Sequence, residues 1–189
     1  MKRNSAKDIM GLKGRRPIVC LTAYTAPIAR ALDEHVDLLL VGDSLGMVLY
    51  DYENTLSVTL PQMIEHAKSV VNASSSSCVV VDLPFGTYEE SKEKAFSNSS
   101  DVMKETNCNA IKLEGGQNMH ETVKFLTERS IPVMGHIGLQ PQRVLIEGGY
   151  KVKGKSKFEW NKFIEDALSL EEAGAFSIVL EGMTEPLAA

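Results

Sequence analysis

The sequence predicts an α/β fold with a parallel sheet, on three observations. Short apolar runs alternate with longer amphipathic stretches along the whole chain. The runs are rich in Val, Ile and Leu and do not alternate with polar residues, which is how strands covered on both faces read. The stretches between them carry helix start and stop residues.

The first run, Pro17–Leu21, is followed by a helical pattern over Ala26–Glu34. The second, Val36–Val41, precedes a helix over Pro61–Asn72, with Thr59 placed to cap it. The third and fourth, Cys78–Val81 and Ala110–Leu113, lead into helices over Ser91–Thr106 and Met119–Arg129. Ile131–Met134 is the fifth run and Phe176–Leu180 the sixth. Trp160–Ala173 is helical before the sixth, and Gly174 suits the position just past its end. Ser74–Ser77 reads as a polar loop tip rather than a linker. No boundary interrupts the rhythm, so residues 1–189 are expected to form a single domain.

Composition excludes several classes. The net charge of −5 leaves no footprint for nucleic acid. Lys151, Lys153, Lys155 and Lys157 cluster, but a short lysine run without interleaved aromatics is a solvated loop. No apolar run can span a bilayer, and the N-terminus lacks the apolar stretch of a secretory signal. Three widely spaced cysteines, Cys20, Cys78 and Cys108, fit neither a disulfide framework nor a zinc knuckle. They read as buried, reduced thiols of a cytoplasmic protein.

What stands at the strand ends is more informative. The second run ends in Gly42-Asp43-Ser44 and the third in Asp82. The fourth carries Lys112 and ends in Glu114-Gly115-Gly116. The fifth ends in Gly135-His136 and the sixth in Glu181. In a (β/α)8 barrel the C-terminal strand ends converge on one face, which holds the active site. Three carboxylates meeting there repel one another unless a cation is bound. An oxygen-rich set without cysteine favours a hard ion such as Mg²⁺ over zinc. Each residue alone has a plainer reading. Asp43 can be a turn residue and Asp82 a cap. Lys112 can pair structurally with Glu114, two residues along the same strand face. His136 can be a core histidine and Glu181 a solvated rim residue. Five strands ending the same way weigh against all of these together.

At these residues the sequence resembles the ketopantoate (3-methyl-2-oxobutanoate) hydroxymethyltransferase family. The resemblance runs through LTAYTAPIAR (Leu21–Arg30), VGDSLGMVLY (Val41–Tyr50), TLSVTLPQMIEH (Thr55–His66) and VVVDLPFGTY (Val79–Tyr88). It continues through IKLEGG (Ile111–Gly116), IPVMGHIGLQPQ (Ile131–Gln142), GGYKVKGK (Gly148–Lys155) and EEAGAFSIVLEG (Glu171–Gly182). It implies a (β/α)8 barrel that transfers a hydroxymethyl group from 5,10-methylenetetrahydrofolate, as co-substrate, to 3-methyl-2-oxobutanoate. The product is 2-dehydropantoate, on the route to pantothenate. By motif it implies Mg²⁺ on Asp43 and Asp82, with Glu114 completing the metal site directly or through water. Asp43, Asp82, Ser44 and Lys112 become substrate contacts and Glu181 the proton acceptor. His136 is a site neighbour without an assigned role. A homo-oligomer is implied as well.

Two departures accompany the resemblance. Thr25 stands where the family commonly has an acidic residue. A complete barrel takes roughly 250 residues, so about six βα units are expected in these 189, with the two C-terminal units missing. Exposed strand edges and self-association are the expected consequence. Two other readings stay open: a Mg²⁺-dependent carbon–carbon lyase or phosphonomutase on a similar barrel, and an inactive barrel serving only in assembly.

Overall fold

In the computed structural model, which describes residues 3–189, six parallel strands form one sheet in the order of the sequence. They are β1 (Cys20–Thr22), β2 (Leu38–Val41), β3 (Cys78–Asp82), β4 (Ala110–Lys112), β5 (Val133–Gly138) and β6 (Ser177–Glu181). Interspersed with them are α1 (Ala6–Met10), α2 (Ala26–Leu32), α3 (Leu45–Tyr50), α4 (Leu60–Ala73), α5 (Lys92–Thr106), α6 (His120–Thr127), α7 (Val144–Glu147), α8 (Trp160–Glu172) and α9 (Glu185–Ala188). The sheet curls as half of a barrel, with helices on its outside.

The two-residue period of a strand sorts the side chains into two layers. Leu39, Val41, Val79, Val81, Ile111, Val133 and Ile137 point outward and join the main core beneath the helices. Leu38, Cys78, Val80, Ala110 and Met134 point inward and form a second cluster, plugged by Ile9 of α1. Each strand is therefore apolar on both faces, and this is why the runs show no alternation.

Helix ends follow local chemistry. Thr59 and Gln62 form a reciprocal capping box at the start of α4. Ser91 lies just outside α5 as its N-cap, accepting from the Lys94 amide, rather than inside the helix. Gly174 follows α8 at φ +91°, a conformation open to glycine. Thr25 is the N-cap residue of α2 but makes no side-chain cap bond.

β1 begins three residues later than its apolar run. The Arg16 guanidinium holds the Asp37 carboxylate, which in turn accepts from the Val19 amide at 2.9 Å. Residues 17–19 are thus tied to the start of β2 by this side chain together with backbone bonds from the Asp37 and Leu38 amides to the Val19 carbonyl, at 2.9 and 3.2 Å. At the outer edges, β1 is exposed throughout and β6 is only half-buried, with Leu21 and Leu180 open to solvent. Of the three cysteines expected to be buried, Cys78 and Cys108 are, but Cys20, on the edge strand β1, is exposed. Among the described residues no helix is long and apolar enough to cross a membrane.

The serine tract is a structural device. Asp33, at the end of α2, is buried and accepts hydrogen bonds from the Ser74 and Ser75 hydroxyls and from the Ser75, Ser76 and Ser77 amides. Burial alone would raise its pKa, yet these donors outweigh burial and hold it well below the ordinary carboxylate range. Asp33→Ala leaves buried donors unpaired and is expected to cost about 3 kcal/mol. That corresponds to a fall of about 6–12 °C in Tm for a chain of this size. A depressed folded pKa contributes stability that is present above the unfolded value, near 4, and lost as pH falls. Melts of parent and variant should therefore differ most at neutral pH and converge below about pH 4. A neutral-pH difference under about 1 kcal/mol would show that the tract closes without Asp33.

Candidate active site

The inward row of side chains changes character along the strands. Directly above the apolar plug it becomes Asp82, Lys112, Glu114, His136 and Glu181, following the same two-residue period. Asp82 and Lys112 face each other in the β3–β4 register, and their side chains form a buried ion pair. Lys112 therefore pairs across strands with Asp82, not along its own strand with Glu114. Asp43 follows β2 in a turn, and its amide approaches Asp82 Oδ2 at 3.4 Å. Ser44 begins α3, and its hydroxyl is 2.8 Å from the Tyr24 hydroxyl.

Two glycines set backbone positions that carry site residues. Gly115 has φ +132°, and a Cβ there would fall 2.3 Å from Met119 Cγ. Gly138 has φ +93°, and its Cβ would fall 2.3 Å from the Glu181 carbonyl oxygen. The close approach at Gly138 accompanies a hydrogen bond from the Leu139 amide to that carbonyl, at 2.7 Å, which fixes Glu181 beside β5.

His136 is 1% exposed and lies between two carboxylates. Nδ1 is 3.7 Å from Glu114 and Nε2 is 3.2 Å from Glu181, yet neither nitrogen makes a well-aligned hydrogen bond. Burial, helped by Lys112, lowers its pKa against the pull of Glu181, so the ring is neutral at pH 7. The Glu181 side chain remains 44% exposed, accessible to a substrate.

The cluster is short of positive charge. Burial and then the Asp82 charge push Asp43 up to about 7. Burial pushes Glu114 up to about 9, with Asp82 and Asp43 adding to the effect and Lys112 opposing it. Burial would lower Lys112, but Asp82, Glu114 and Asp43 outweigh it and raise the pKa, so the ammonium persists. One lysine thus faces three carboxylates, two of them driven toward neutrality. Such a place gains from a further cation. Its donors are carboxylate oxygens, suited to a hard ion that keeps part of its water shell. Among the described residues no three His, Cys, Asp or Glu side chains converge to hold a metal. Asp43 and Asp82 stand at neighbouring strand ends, with Glu114 in the surroundings.

Three residues not anticipated from sequence complete the site. Gln142 is buried, and its amide nitrogen donates to Asp43 Oδ2 and to the Leu83 carbonyl, both at 2.9 Å. Its amide oxygen accepts from the Tyr88 hydroxyl at 2.6 Å. Tyr150, on the loop after α7, turns its hydroxyl to Met47 Sδ at 3.8 Å, and burial and then the charges of Asp43, Glu114 and Glu181 raise its pKa. Gln142, Tyr88 and Tyr150 all lie inside the family-like segments, but on loops where no periodicity singles them out. Beside Glu114 opens a cavity of about 110 Å³, bordered by Phe85, Asn118, Gln140 and Arg143. Asn118, Gln140 and Arg143 also border a larger cleft of about 450 Å³ that reaches Lys153 and Lys162.

Similar folds occur among solved structures. A phosphonopyruvate hydrolase superposes with a TM-score of 0.71 at 14% identity, over 97% of this chain and 64% of its own. A putative phosphonomutase from Burkholderia cenocepacia gives 0.75 at 15% identity, over 96% and 76%. At such identities the likeness concerns the fold alone. Sequence relatives are nearer. The 3-methyl-2-oxobutanoate hydroxymethyltransferase of Rhizobium etli is 57% identical over 187 residues, covering 99% of this chain and 68% of the relative. That of Paramagnetospirillum magneticum is 57% identical over 188 residues, covering 100% and 69%. The family model of ketopantoate hydroxymethyltransferase matches residues 3–189. On a match of that extent, with more than half of its residues shared with such relatives, the chain belongs to the ketopantoate hydroxymethyltransferase family.

Proposed function

We propose that the chain transfers a hydroxymethyl group from 5,10-methylenetetrahydrofolate to 3-methyl-2-oxobutanoate, giving 2-dehydropantoate, with Mg²⁺ held by Asp43 and Asp82. The supporting observation is the buried cluster in which a single lysine faces three carboxylates. When bound, Mg²⁺ supplies Lewis-acid stabilisation of negative charge on the keto oxygen of a 2-oxo acid.

The chain's own groups do the rest. Lys112 brings a fixed positive charge to the place where the enolate's negative charge develops. It is kept charged by Asp82, on which it is anchored. Ser44, steadied by Tyr24, offers a hydroxyl at the start of α3 for the substrate carboxylate. Glu181 takes the C3 proton: it lies on the inward row, apart from Asp43 and Asp82, and is partly open. Water cleaves the C–N bonds of the folate's methylene bridge, releasing tetrahydrofolate and a formaldehyde-level carbon. The enolate carbon bonds to that carbon, whose oxygen takes up a proton to become the new hydroxyl. The 450 Å³ cleft has the size of a small-molecule site and adjoins Glu114 through the smaller cavity, so we place the folate there.

The same reading covers the architecture. The six strands are the first six of a (β/α)8 barrel, residues 1–189 belong to one domain, and the protein is a cytoplasmic homo-oligomer. Solvent-exposed Leu21, Ile164, Leu168 and Leu180 near the sheet edges support association.

The test is an assay of the purified chain with 3-methyl-2-oxobutanoate, methylenetetrahydrofolate and Mg²⁺. Formation of 2-dehydropantoate is the expected result. Turnover of phosphonopyruvate instead would favour the chemistry named for its structural neighbour. No turnover of either would leave an assembly role.

A further inference from the structure

We propose that Gln142 and Tyr88 are positioning residues, a buried pair that sets the carboxylates of Asp43 and Glu114 in the orientation a divalent cation requires. The inference rests on the reading of Asp43 and Asp82 as the cation's ligands, and adds what holds them in place.

Gln142 sits in the turn Pro141–Arg143 that follows β5, while Asp43 follows β2. The two are far apart in sequence and meet only through the amide–carboxylate bond. The orientation of that amide is settled by its partners. The Leu83 carbonyl can only accept, so the NH₂ group must face it, and the Asp43 side chain lies on that same side. The oxygen is left for the Tyr88 hydroxyl. Tyr88 in turn accepts from the Glu114 amide at 3.2 Å, and the Gln142 backbone amide donates to Glu114 Oε2 at 3.2 Å. Glu114 is thereby held at both its backbone and its carboxylate. Gln142 is 6% exposed and Tyr88 is 2% exposed, so neither has water to fall back on.

Every polar atom of the Gln142 side chain is used, and rotating it would strand its partners on Asp43, Leu83 and Tyr88 at once. One oxygen of Asp43 is occupied by this donor, and one oxygen of Asp82 by Lys112. Asp43 is thus pinned through one oxygen from the side, and Asp82 through both, since its second oxygen lies 3.4 Å from the Asp43 amide. Outer groups that orient ligands in this way typically contribute ten- to hundredfold to metal affinity, roughly speaking.

The experiment compares the parent chain with Gln142→Leu and Tyr88→Phe. Mn²⁺ serves as the probe, followed by electron paramagnetic resonance, with thermal melting and steady-state kinetics alongside. Both variants are expected to bind Mn²⁺ about ten- to hundredfold more weakly. KM for 3-methyl-2-oxobutanoate should rise in step with that loss, and kcat should fall less. Mn²⁺ affinity within twofold of the parent in both variants, whatever happens to the melting temperature, would overturn the proposal. Should Gln142→Leu fail to fold, Tyr88→Phe decides alone, because it removes one hydroxyl and keeps the ring. A parent that binds no Mn²⁺ would overturn the metal reading and this inference with it. A parent that binds beside variants that are unchanged overturns this inference only.

Discussion

Asp82→Asn is expected to abolish divalent-cation binding and turnover while leaving the fold intact. Asp82 is buried at the end of β3, beside the Asp43 amide and paired with Lys112. The amide keeps the volume but loses the charge, and with it one of the two ligands proposed for the cation. Outer-ligand losses run to about a hundredfold, so a direct ligand should cost at least that much. Breaking a buried pair by removing one partner commonly costs about 3–5 kcal/mol. Here Lys112 is not left alone. Glu114 and Asp43 also raise its pKa, and the variant still sets two carboxylates against one ammonium. Burial still holds Asp43 up, but the smaller part of its upward shift that comes from the Asp82 charge is relieved at the same time. Melting without metal should therefore move by a few degrees at most, about the equivalent of 1 kcal/mol. Calorimetric titration with Mg²⁺, on parent and variant, is the check. Unchanged affinity in Asp82→Asn would remove Asp82 from the metal site.

Much of this site could be read before the fold was seen, for a specific reason. Asp43, Asp82, Lys112, Glu114, His136 and Glu181 interrupt or end apolar strands, and a charge in such a place is costly unless it serves something. The strand pattern was equally open, because both faces of the sheet are covered and each run is continuously apolar. What the sequence did not disclose depends on register and on loops. Lys112 reads naturally with Glu114, two residues away on one face. Its true partner, Asp82, is opposite it only because β3 and β4 pair as they do. Gln142 and Tyr88 sit on turns whose paths follow no periodic rule. The helix α3 was missed because Leu45–Tyr50 is apolar at nearly every position and shows no amphipathic stripe. Met47, Val48, Leu49 and Tyr50 are in fact solvent-exposed.

Glu181→Gln is expected to slow exchange of the C3 hydrogen of 3-methyl-2-oxobutanoate with deuterated water by about 10²–10⁴-fold, the usual cost of losing a general base. The assay contains Mg²⁺ and no folate, so it isolates proton removal from the later transfer. The position of Glu181 motivates the assignment. It ends β6 on the inward row, while Asp43 and Asp82 follow β2 and β3 across the sheet. Carboxylates bound to a cation lose basicity, which disfavours Asp43 and Asp82 for this task. Glu114 is buried and pushed up to about 9, so near pH 7 it holds a proton rather than seeking one, unless a cation reverses that. His136 is the remaining candidate, and its pKa is lowered by burial, which makes it a weaker base than an ordinary imidazole. Its Nε2 lies 3.2 Å from Glu181 Oε2, a placement suited to receiving or steadying the proton that Glu181 has taken. The measurement is run first on the 189-residue chain. If that chain gives no exchange, it is repeated on a form extended by the segment its relatives carry beyond the matched region. Exchange in the parent that persists unchanged in Glu181→Gln would pass the role of base to His136. Replacing His136 with Gln would then have to abolish exchange, whereas with Glu181 as the base it should lower the rate only in part.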